Sequence, residues 1–321
     1  MSSNMKSSGL RKQKAREITA NRDLGVSFSI LNCAEYDIDW RKALRYTLKM
    51  GFKRFRLMSY WSYYERKPGE TDFSELDEQI EMIAAAGGRV TLAIGMRQPR
   101  WPETHLPEWT EDLSSAEVVE SYMEFHRKVI QRYKDNTAVE SWQLENEFWL
   151  RSFGRHFDFS RERLVREFNL IRELNPDKPI IMSTARLTSL PLRKPTPDLY
   201  ATSVYRIIYD GDKQSYMFTE IKPWMYRFKR FLIRLVKRRD YIIHELQTEP
   251  WGPEANWKMS QPEQRKSMNE EEIQKAVRYA RETGIHYADA WGAEWWYWYY
   301  VSYDDDILTT TVAGLIEPTT A

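Results

Sequence analysis

The chain has 321 residues, too many for a minimal binding module but suitable for one α/β barrel of about 250 residues plus insertions. Its 48 lysines and arginines nearly balance its 47 aspartates and glutamates, so no overall electric field favours nucleic acid as a partner. Cys33 is the only cysteine, which excludes an internal disulfide and a cysteine-based metal site.

The first 22 residues are polar, basic and rich in serine. This composition predicts a flexible basic tail over 1–22, followed by a single domain over 23–321. The tail has no apolar core of signal-peptide length, and no later stretch is apolar enough to span a bilayer. We therefore expect a cytoplasmic protein, with the alternative that a secretory signal removed by processing leaves the same pattern.

After the tail, short β-rich runs alternate with amphipathic stretches, as in βα units around a parallel sheet. Strands are predicted over 26–31, 52–58, 89–95, 139–144, 178–183, 199–204, 241–246 and 286–291. Helices are predicted over 39–50, from 74 up to the glycine pair at 87–88, and over 115–133, 160–174 and 270–282. Eight strands are the number that a closed barrel needs, although no helix is evident after the fifth. The predicted fold class is therefore α/β, a (β/α)8 TIM barrel. An open doubly wound sheet alternates similarly, but no glycine-rich phosphate loop follows the first strand.

Two acidic residues stand at strand ends, where barrel enzymes carry their reacting groups. Glu147 follows the fourth strand and Glu245 lies near the end of the seventh, so they are expected to face each other across the barrel mouth. Two carboxyl groups about 5–5.5 Å apart cleave a glycosidic bond with retention, one attacking the anomeric carbon while the other protonates the leaving oxygen. Arg56 and Tyr205 end two further strands, and we expect them to stabilise the charged nucleophile by an ion pair and a hydrogen bond.

The segment Trp142–Phe148, WQLENEF, closely resembles the Asn-Glu acid/base motif of clan A glycoside hydrolases, most nearly the family 42 and family 35 β-galactosidases. The block from Arg56 to Asp77 resembles the second-strand block of those families, and RQPRWP at 97–102 resembles the loop after their third strand. The matches cover strands two to four well and strands six to eight more loosely.

This resemblance implies roles for individual residues. Glu147 is the implied acid/base, Asn146 binds the 2-hydroxyl of the sugar, and Glu245 is the nucleophile. Glu249 is a rival nucleophile; we favour Glu245 because an apolar strand run leads directly to it, whereas Glu249 falls in the loop beyond. Glu145 is expected to be a structural carboxylate or one that supports its neighbours. The resemblance implies no cofactor.

Tryptophans near strand ends are candidates for stacking on sugar rings, with core packing as the alternative for any one of them. Trp291 and Trp295 are both candidates for the platform under the sugar, and the register of the eighth strand decides which of them it is. The predicted substrate-binding residues are Arg56, Asn146, Tyr205, Glu249, Trp61, Trp101, Trp291 and Trp295. The five histidines show no metal-ligand spacing, so no metal site is predicted.

The most basic segment, 224–239, has apolar residues at helical spacing. We favour a barrel helix before the seventh strand with a cationic outer face. The alternative is a surface that contacts anionic lipid or an acidic polysaccharide.

Two functions remain open from the sequence. The favoured one is a retaining glycoside hydrolase acting on a β-linked oligo- or polysaccharide. The other is a barrel that binds carbohydrate without catalysis, because a fold alone does not establish an activity. Family 42 enzymes usually carry further domains and often form trimers, so their specificity for galactose is not carried over. The sugar, the choice between exo and endo cleavage, and the oligomeric state are left open.

Overall fold

Eight parallel strands close into a barrel in the computed structural model, which describes residues 2–20, 22, 24–150, 152–184 and 193–316. In chain order the strands are β1 Leu24–Ser27, β2 Arg54–Met58, β3 Arg89–Ile94, β4 Val139–Leu144, β5 Ile180–Ser183, β6 Leu199–Val204, β7 Ile207–Asp210, β8 Ser215–Phe218, β9 Asp240–Gln247 and β10 Ala288–Trp291. The order around the barrel is β1-β2-β3-β4-β5-β6-β9-β10, and β10 pairs with β1 to close the ring. Strands β7 and β8 form a separate antiparallel hairpin. The predicted (β/α)8 barrel is confirmed.

Helices surround the barrel and connect its strands. They are α1 Ser2–Ala20, α2 Ile30–Glu35, α3 Trp40–Lys49, α4 Trp61–Tyr64, α5 Ser74–Ala85, α6 Ser115–Tyr133, α7 Arg161–Leu174, α8 Pro223–Lys237, α9 Gln261–Ser267, α10 Glu270–Glu282, α11 Ala293–Tyr303 and α12 Ile307–Ala313. Among the residues described between β5 and β6, 184 and 193–198, no helix is present.

Local sequence signals account for the predicted boundaries that the structure reproduces. Helix α6 begins with a capping box in which Ser114 and Glu117 satisfy each other's backbone N–H groups. Strands β4 and β6 and helices α6 and α10 have the predicted bounds residue for residue.

The barrel strands are almost continuously buried, because a parallel sheet is covered on both faces. Polar side chains inside these runs therefore require a partner.

The N-terminal segment differs from its prediction. A flexible tail is predicted for residues 1–22, whereas the structure has helix α1. Its Ala15 and Ile18 are buried in a cluster with apolar residues from β5, β6 and β9, among them Ile181 and Leu199 near the starts of their strands. The helix therefore covers part of the N-terminal end of the barrel. The prediction failed because two well-placed apolar residues suffice for docking, and they do not stand out in a mostly polar segment.

Helix α8 lies before the seventh barrel strand, as predicted, but its apolar residues do not all face inward. Tyr226, Lys229 and Ile233 are buried, while large apolar side chains point to solvent. The exposed members are Trp224, Phe228, Phe231, Leu235 and Val236. The outer face is cationic, as predicted, but it also carries a set of large apolar side chains that the prediction did not include. Separately, none of the helices in the described part of the chain is long and apolar enough to cross a bilayer.

Replacing Ile18 with alanine tests the docking of α1. Ile18 is 2% exposed, and Ile18→Ala is expected to lower the free energy of unfolding by about 2 kcal/mol, because buried contacts and apolar burial are lost together. Urea denaturation followed by circular dichroism measures the change. Leu10→Ala on the same helix is the matched control, since Leu10 is 39% exposed and should leave stability nearly unchanged. Equal effects of the two substitutions contradict the docked arrangement.

Candidate active site

Glu147 and Glu245 come together at the mouth of the barrel, at the C-terminal ends of their strands. Glu147 lies three residues beyond β4, and its backbone N–H donates to Ser183 Oγ at the end of β5 over 2.7 Å. Its φ is +43°, a left-handed conformation that is costly for a residue with a Cβ atom. Such backbone strain persists only where surrounding contacts enforce it, and it is concentrated at functional sites.

The hydroxyl of Ser203 contacts both carboxyl groups. Ser203 Oγ lies 2.7 Å from Glu147 Oε1 and 3.2 Å from Glu245 Oε2. Because both contacts share the Ser203 Oγ atom, these two carboxyl oxygens are at most about 6 Å apart. This upper limit allows the ~5–5.5 Å separation of retaining sites and lies below the ~6.5–9.5 Å separation of inverting sites. A hydroxyl has a single hydrogen to donate, so both hydrogen bonds form together only when one carboxyl group carries a proton.

The two carboxyl groups have different electrostatic surroundings. Burial, and then the neighbouring charge of Glu245, raises the pKa of Glu147 to about 7. Glu245 instead accepts hydrogen bonds from Arg56 Nη1 at 3.0 Å and from the Tyr205 hydroxyl at 3.1 Å. These donors stabilise a negative charge on Glu245. Paired carboxyl groups whose environments favour different protonation states are typical of acid/base assignments in enzymes.

Arg56 is fully buried, and all three of its nitrogens are engaged. Its Nε donates to Gln143 Oε1 at 2.6 Å, its Nη2 to Asn146 Oδ1 at 2.9 Å, and its Nη1 to Glu245 and to the His244 carbonyl oxygen. The rigid guanidinium plane therefore fixes side chains from β4, β9 and the turn after β4 relative to one another. The predicted proximity of Arg56 and Tyr205 to Glu245 agrees with this geometry.

A third buried carboxyl group, Glu103, was not predicted from the sequence. Its Oε2 accepts a hydrogen bond of 3.0 Å from Asn146 Nδ2, and its side chain lines the same cavity as Glu147 and Glu245. Burial, and next the charge of Glu245, raises the pKa of Glu103 to about 8. Glu103 lies in the loop after β3, too far along the chain from the end of that strand to be recognised as a strand-end residue. The loop folds back and brings Glu103 over the barrel mouth. Its position directly after the segment RQPRWP is the only signal that the sequence offered.

Glu145 supports the site from outside the cavity. It accepts hydrogen bonds from the backbone N–H groups of Met96 and Arg97 at 2.9 and 3.0 Å, and it pairs with Arg163 at 2.7 Å. Gly95, at φ +145°, packs so closely that a Cβ atom there would lie 2.9 Å from the Glu145 backbone. These contacts favour a structural role for Glu145. Its side chain holds the loop after β3 against the turn after β4.

The carboxyl groups line an open cavity of about 600 Å³, a size typical of small-ligand sites. Trp101 and Trp291 both line it, and Trp101 is 60% exposed at its rim. Trp61 and Trp295 do not line it. Both are fully buried, Trp61 packing among core aromatics and Trp295 donating to Gln264, so the structure corrects the predicted sugar-stacking role of these two.

Several aromatic residues of the cavity were missed because they lie in loops without a strand-end signal. Trp251 packs edge-on against Tyr205 with a centroid distance of 5.3 Å, and Tyr36 packs edge-on against Trp257 at 5.2 Å. All four rings contribute to the cavity wall. Tyr205, Trp251 and Trp257 are partly exposed, so they are candidates for contact with a sugar ring, whereas Tyr36 is buried behind them.

Glu249 occupies the side of the cavity next to Arg100. Arg100 pairs with Glu249 and with the fully buried Glu294, and its guanidinium lies 4.0 Å from the centroid of the Trp291 ring. Burial raises the pKa of Glu249 to about 7, against the lowering effect of Arg100. Within the described part of the chain, Glu249 Oε2 is buried without a hydrogen-bond partner. Glu249 therefore has an acceptor left for a ligand, and Arg100 is a further site residue that the sequence did not indicate.

In the described part of the chain, no three histidine, cysteine, aspartate or glutamate side chains cluster in a way that suits a metal ion.

Comparison with known families adds to this geometry. Residues 36–175 match the sequence model of the family Glyco_hydro_42, described as beta-galactosidase. The matched stretch includes Glu147 and Glu103 and ends before Glu245. The match agrees with the resemblance seen in strands two to four.

Solved structures with the same barrel include several glycoside-cleaving enzymes by name. A β-galactosidase from the Antarctic haloarchaeon Halorubrum lacusprofundi superposes with a TM-score of 0.59 at 17% identity, covering 84% of this chain and 52% of that one. The exo-β-1,4-mannosidase of Opitutaceae bacterium strain TAV5 gives 0.55 at 16% identity, with 84% and 51% covered. Xylanase 10B of Thermotoga maritima gives 0.57 at 13% identity, with 88% and 85% covered.

These similarities are at the level of the fold, since the identities are low. The chain spans about half the length of the β-galactosidase and of the mannosidase. Together with the family match, they confirm the resemblance to clan A glycoside hydrolases that the sequence predicted.

The raised pKa of Glu147 predicts a pH-dependent effect of Glu147→Gln on stability. In the folded protein this pKa is about 7 instead of the ordinary 4.5, so the folded state loses stability relative to the unfolded state as pH rises from 4.5 through 7. Glutamine carries no such charge. Glu147→Gln is therefore expected to match the wild type near pH 4 and to exceed its free energy of unfolding by up to about 3 kcal/mol at pH 8.

Urea denaturation at the two pH values measures the difference, and the exposed Glu111→Gln is the matched control. A pH-independent effect of Glu147→Gln contradicts the assignment of a raised pKa to this residue.

Proposed function

We propose that the chain is a retaining glycoside hydrolase that cleaves a β-linked oligo- or polysaccharide, with Glu147 as general acid/base and Glu245 as nucleophile. The observation that carries the proposal is the contact of both carboxyl groups with one hydroxyl, Ser203, in a cavity lined by aromatic rings. The separation leaves no room for a water molecule between an attacking base and the sugar, which an inverting enzyme needs.

The reaction proceeds in two displacements. In the first, a carboxylate oxygen of Glu245 forms a bond to the anomeric carbon while the bond to the leaving oxygen breaks, and Glu147 gives its proton to that oxygen. In the second, Glu147 removes a proton from a water molecule, the water oxygen bonds to the anomeric carbon, and the bond to Glu245 breaks. Glu147 ends protonated and Glu245 ends as a carboxylate, so the site is restored.

The contacts support Glu245 as the nucleophile over Glu249. Glu245 reaches Glu147 through Ser203 and is held by Arg56 and Tyr205, whereas Glu249 pairs with Arg100. The pKa of Glu249 is raised to about 7, so at neutral pH about half of this carboxyl group is protonated. We therefore assign Glu249 to substrate binding, where its free oxygen accepts a hydrogen bond from a sugar hydroxyl.

Asn146 and Glu103 are assigned to the sugar unit next to the nucleophile. The Asn146 amide donates to Glu103 Oε2. A sugar hydroxyl that takes up this donor leaves Glu103 to accept from a second hydroxyl. Trp101, 60% exposed, supplies a flat apolar face at the rim, and Trp291 lines the cavity with Arg100 over its ring.

Substitution of the two glutamates separates their roles. With aryl β-glycosides of poor leaving-group ability, Glu147→Gln is expected to lower kcat/KM by about 10²–10⁴-fold, and with a dinitrophenyl leaving group by far less, because that group departs without a proton. Glu245→Ala is expected to lose turnover with every substrate. Azide, which fits the space left by the side chain, is expected to restore it and to yield a glycosyl azide of inverted configuration.

The exposed Glu111→Gln is the matched control and should retain wild-type rates. Binding of oligosaccharides by the wild-type protein with no turnover of any aryl β-glycoside supports instead the non-catalytic carbohydrate-binding barrel.

A further inference from the structure

Helix α8 presents a continuous apolar stripe to solvent. Trp224, Phe228, Phe231 and Leu235 follow one another at spacings of four, three and four residues, so they lie on one face of the helix. Their exposed fractions are 61%, 53%, 57% and 65%. The stripe is about 16 Å long at 1.5 Å per residue. Single exposed apolar residues are ordinary on a protein surface, but a row of three aromatic rings and a leucine is not.

The same segment is strongly cationic although the chain as a whole is nearly neutral. Residues 222–239 contain eight lysines and arginines and no acidic residue, against a net charge of +1 for the whole chain. Arg227 and Arg234 are exposed, and each follows a stripe residue, Trp224 or Phe231, by three positions. They therefore line one side of the stripe. Arg238 is exposed at the end of the helix, where the chain turns in a left-handed conformation.

We propose that the α8 stripe is a docking surface for an anionic lipid membrane, on which the barrel lies peripherally. An amphipathic helix with aromatic and leucine side chains on one side and arginines beside them matches the chemistry of a membrane interface. The rings enter the boundary between headgroups and acyl chains, and the arginines contact lipid phosphates and carboxylates. The opposite face of α8, with Tyr226 and Ile233, remains packed on the barrel.

A second copy of the chain is a poorer occupant of the same surface. Four side chains a little more than half exposed offer about 400–500 Å², which is below the ~800 Å² per partner of a stable interface. Symmetric pairing of two stripes also brings the arginine rows of the two copies together, and such like-charge contacts are unfavourable. An anionic bilayer satisfies the apolar and the cationic parts of the surface at once.

Cosedimentation of the full chain with lipid vesicles tests the proposal. The protein is expected to bind vesicles of phosphatidylcholine with about 30% phosphatidylserine, and to bind phosphatidylcholine vesicles at least about tenfold more weakly. Binding is expected to weaken as salt rises from about 0.1 M to 1 M, because screening shortens the reach of the arginines. The charge variant Arg227→Glu/Arg234→Glu and the apolar variant Phe228→Ser/Phe231→Ser should each reduce binding to the anionic vesicles about tenfold or more.

Arg45→Glu/Lys49→Glu, a double charge reversal at exposed positions of α3, is the matched control and should bind like the wild type. All substituted side chains are exposed, and circular dichroism is expected to show unchanged folding. Vesicle binding that is indifferent to both α8 variants overturns the proposal. An absence of vesicle binding also overturns it. In that case, a dimer that the apolar variant dissociates would identify a second copy of the chain as the occupant of the stripe. Retention on an acidic polysaccharide that the charge variant abolishes would identify the polysaccharide as the partner.

Discussion

Two buried acidic side chains in one cavity, with a single hydroxyl between them, impose the constraint on which the site depends. Two negative charges so close together and so little hydrated repel each other strongly, so one of the two carboxyl groups keeps its proton near neutrality. Burial and the charge of Glu245 raise the pKa of Glu147, while Arg56 and Tyr205 donate hydrogen bonds to Glu245. Ser203 couples the two, because its one hydrogen serves both contacts only when one carboxyl group is protonated.

The barrel supplies the rigidity that this arrangement needs. Parallel strands bring their C-terminal ends to one face, so residues far apart in sequence meet there. Arg56 ties β2 to β4 and β9, and Glu145 ties the loop after β3 to the turn after β4. The left-handed backbone at Glu147 is held by these contacts and by Ser183. Preorganisation of this kind matters for the proposed reaction because the protein would not have to reorient its charges while it takes place.

The sequence was informative where periodicity and strand ends carry the signal. The eight barrel strands, the proximity of Glu147 to Glu245, and the place of Arg56 follow from alternating strands and from polar residues at their ends. Glu103 and Arg100 were missed because a loop that folds back over the mouth leaves no periodic trace. Trp61 and Trp295 were misplaced because each lies in a helix just beyond a strand end, α4 or α11, and the strand pattern does not show which face of that helix is buried. The α8 stripe shows the same limit: helical spacing reveals an apolar face but not which way it points.

Trapping of the glycosyl intermediate tests the central claim most directly. A 2-deoxy-2-fluoro β-glycoside with a good leaving group slows the second displacement more than the first, so the sugar stays attached to the nucleophile. Mass spectrometry of the digested protein is expected to find the fluorosugar on the peptide that contains Glu245, at that residue. A label on Glu249, or turnover of the reagent with inverted product and no labelled peptide, contradicts the account.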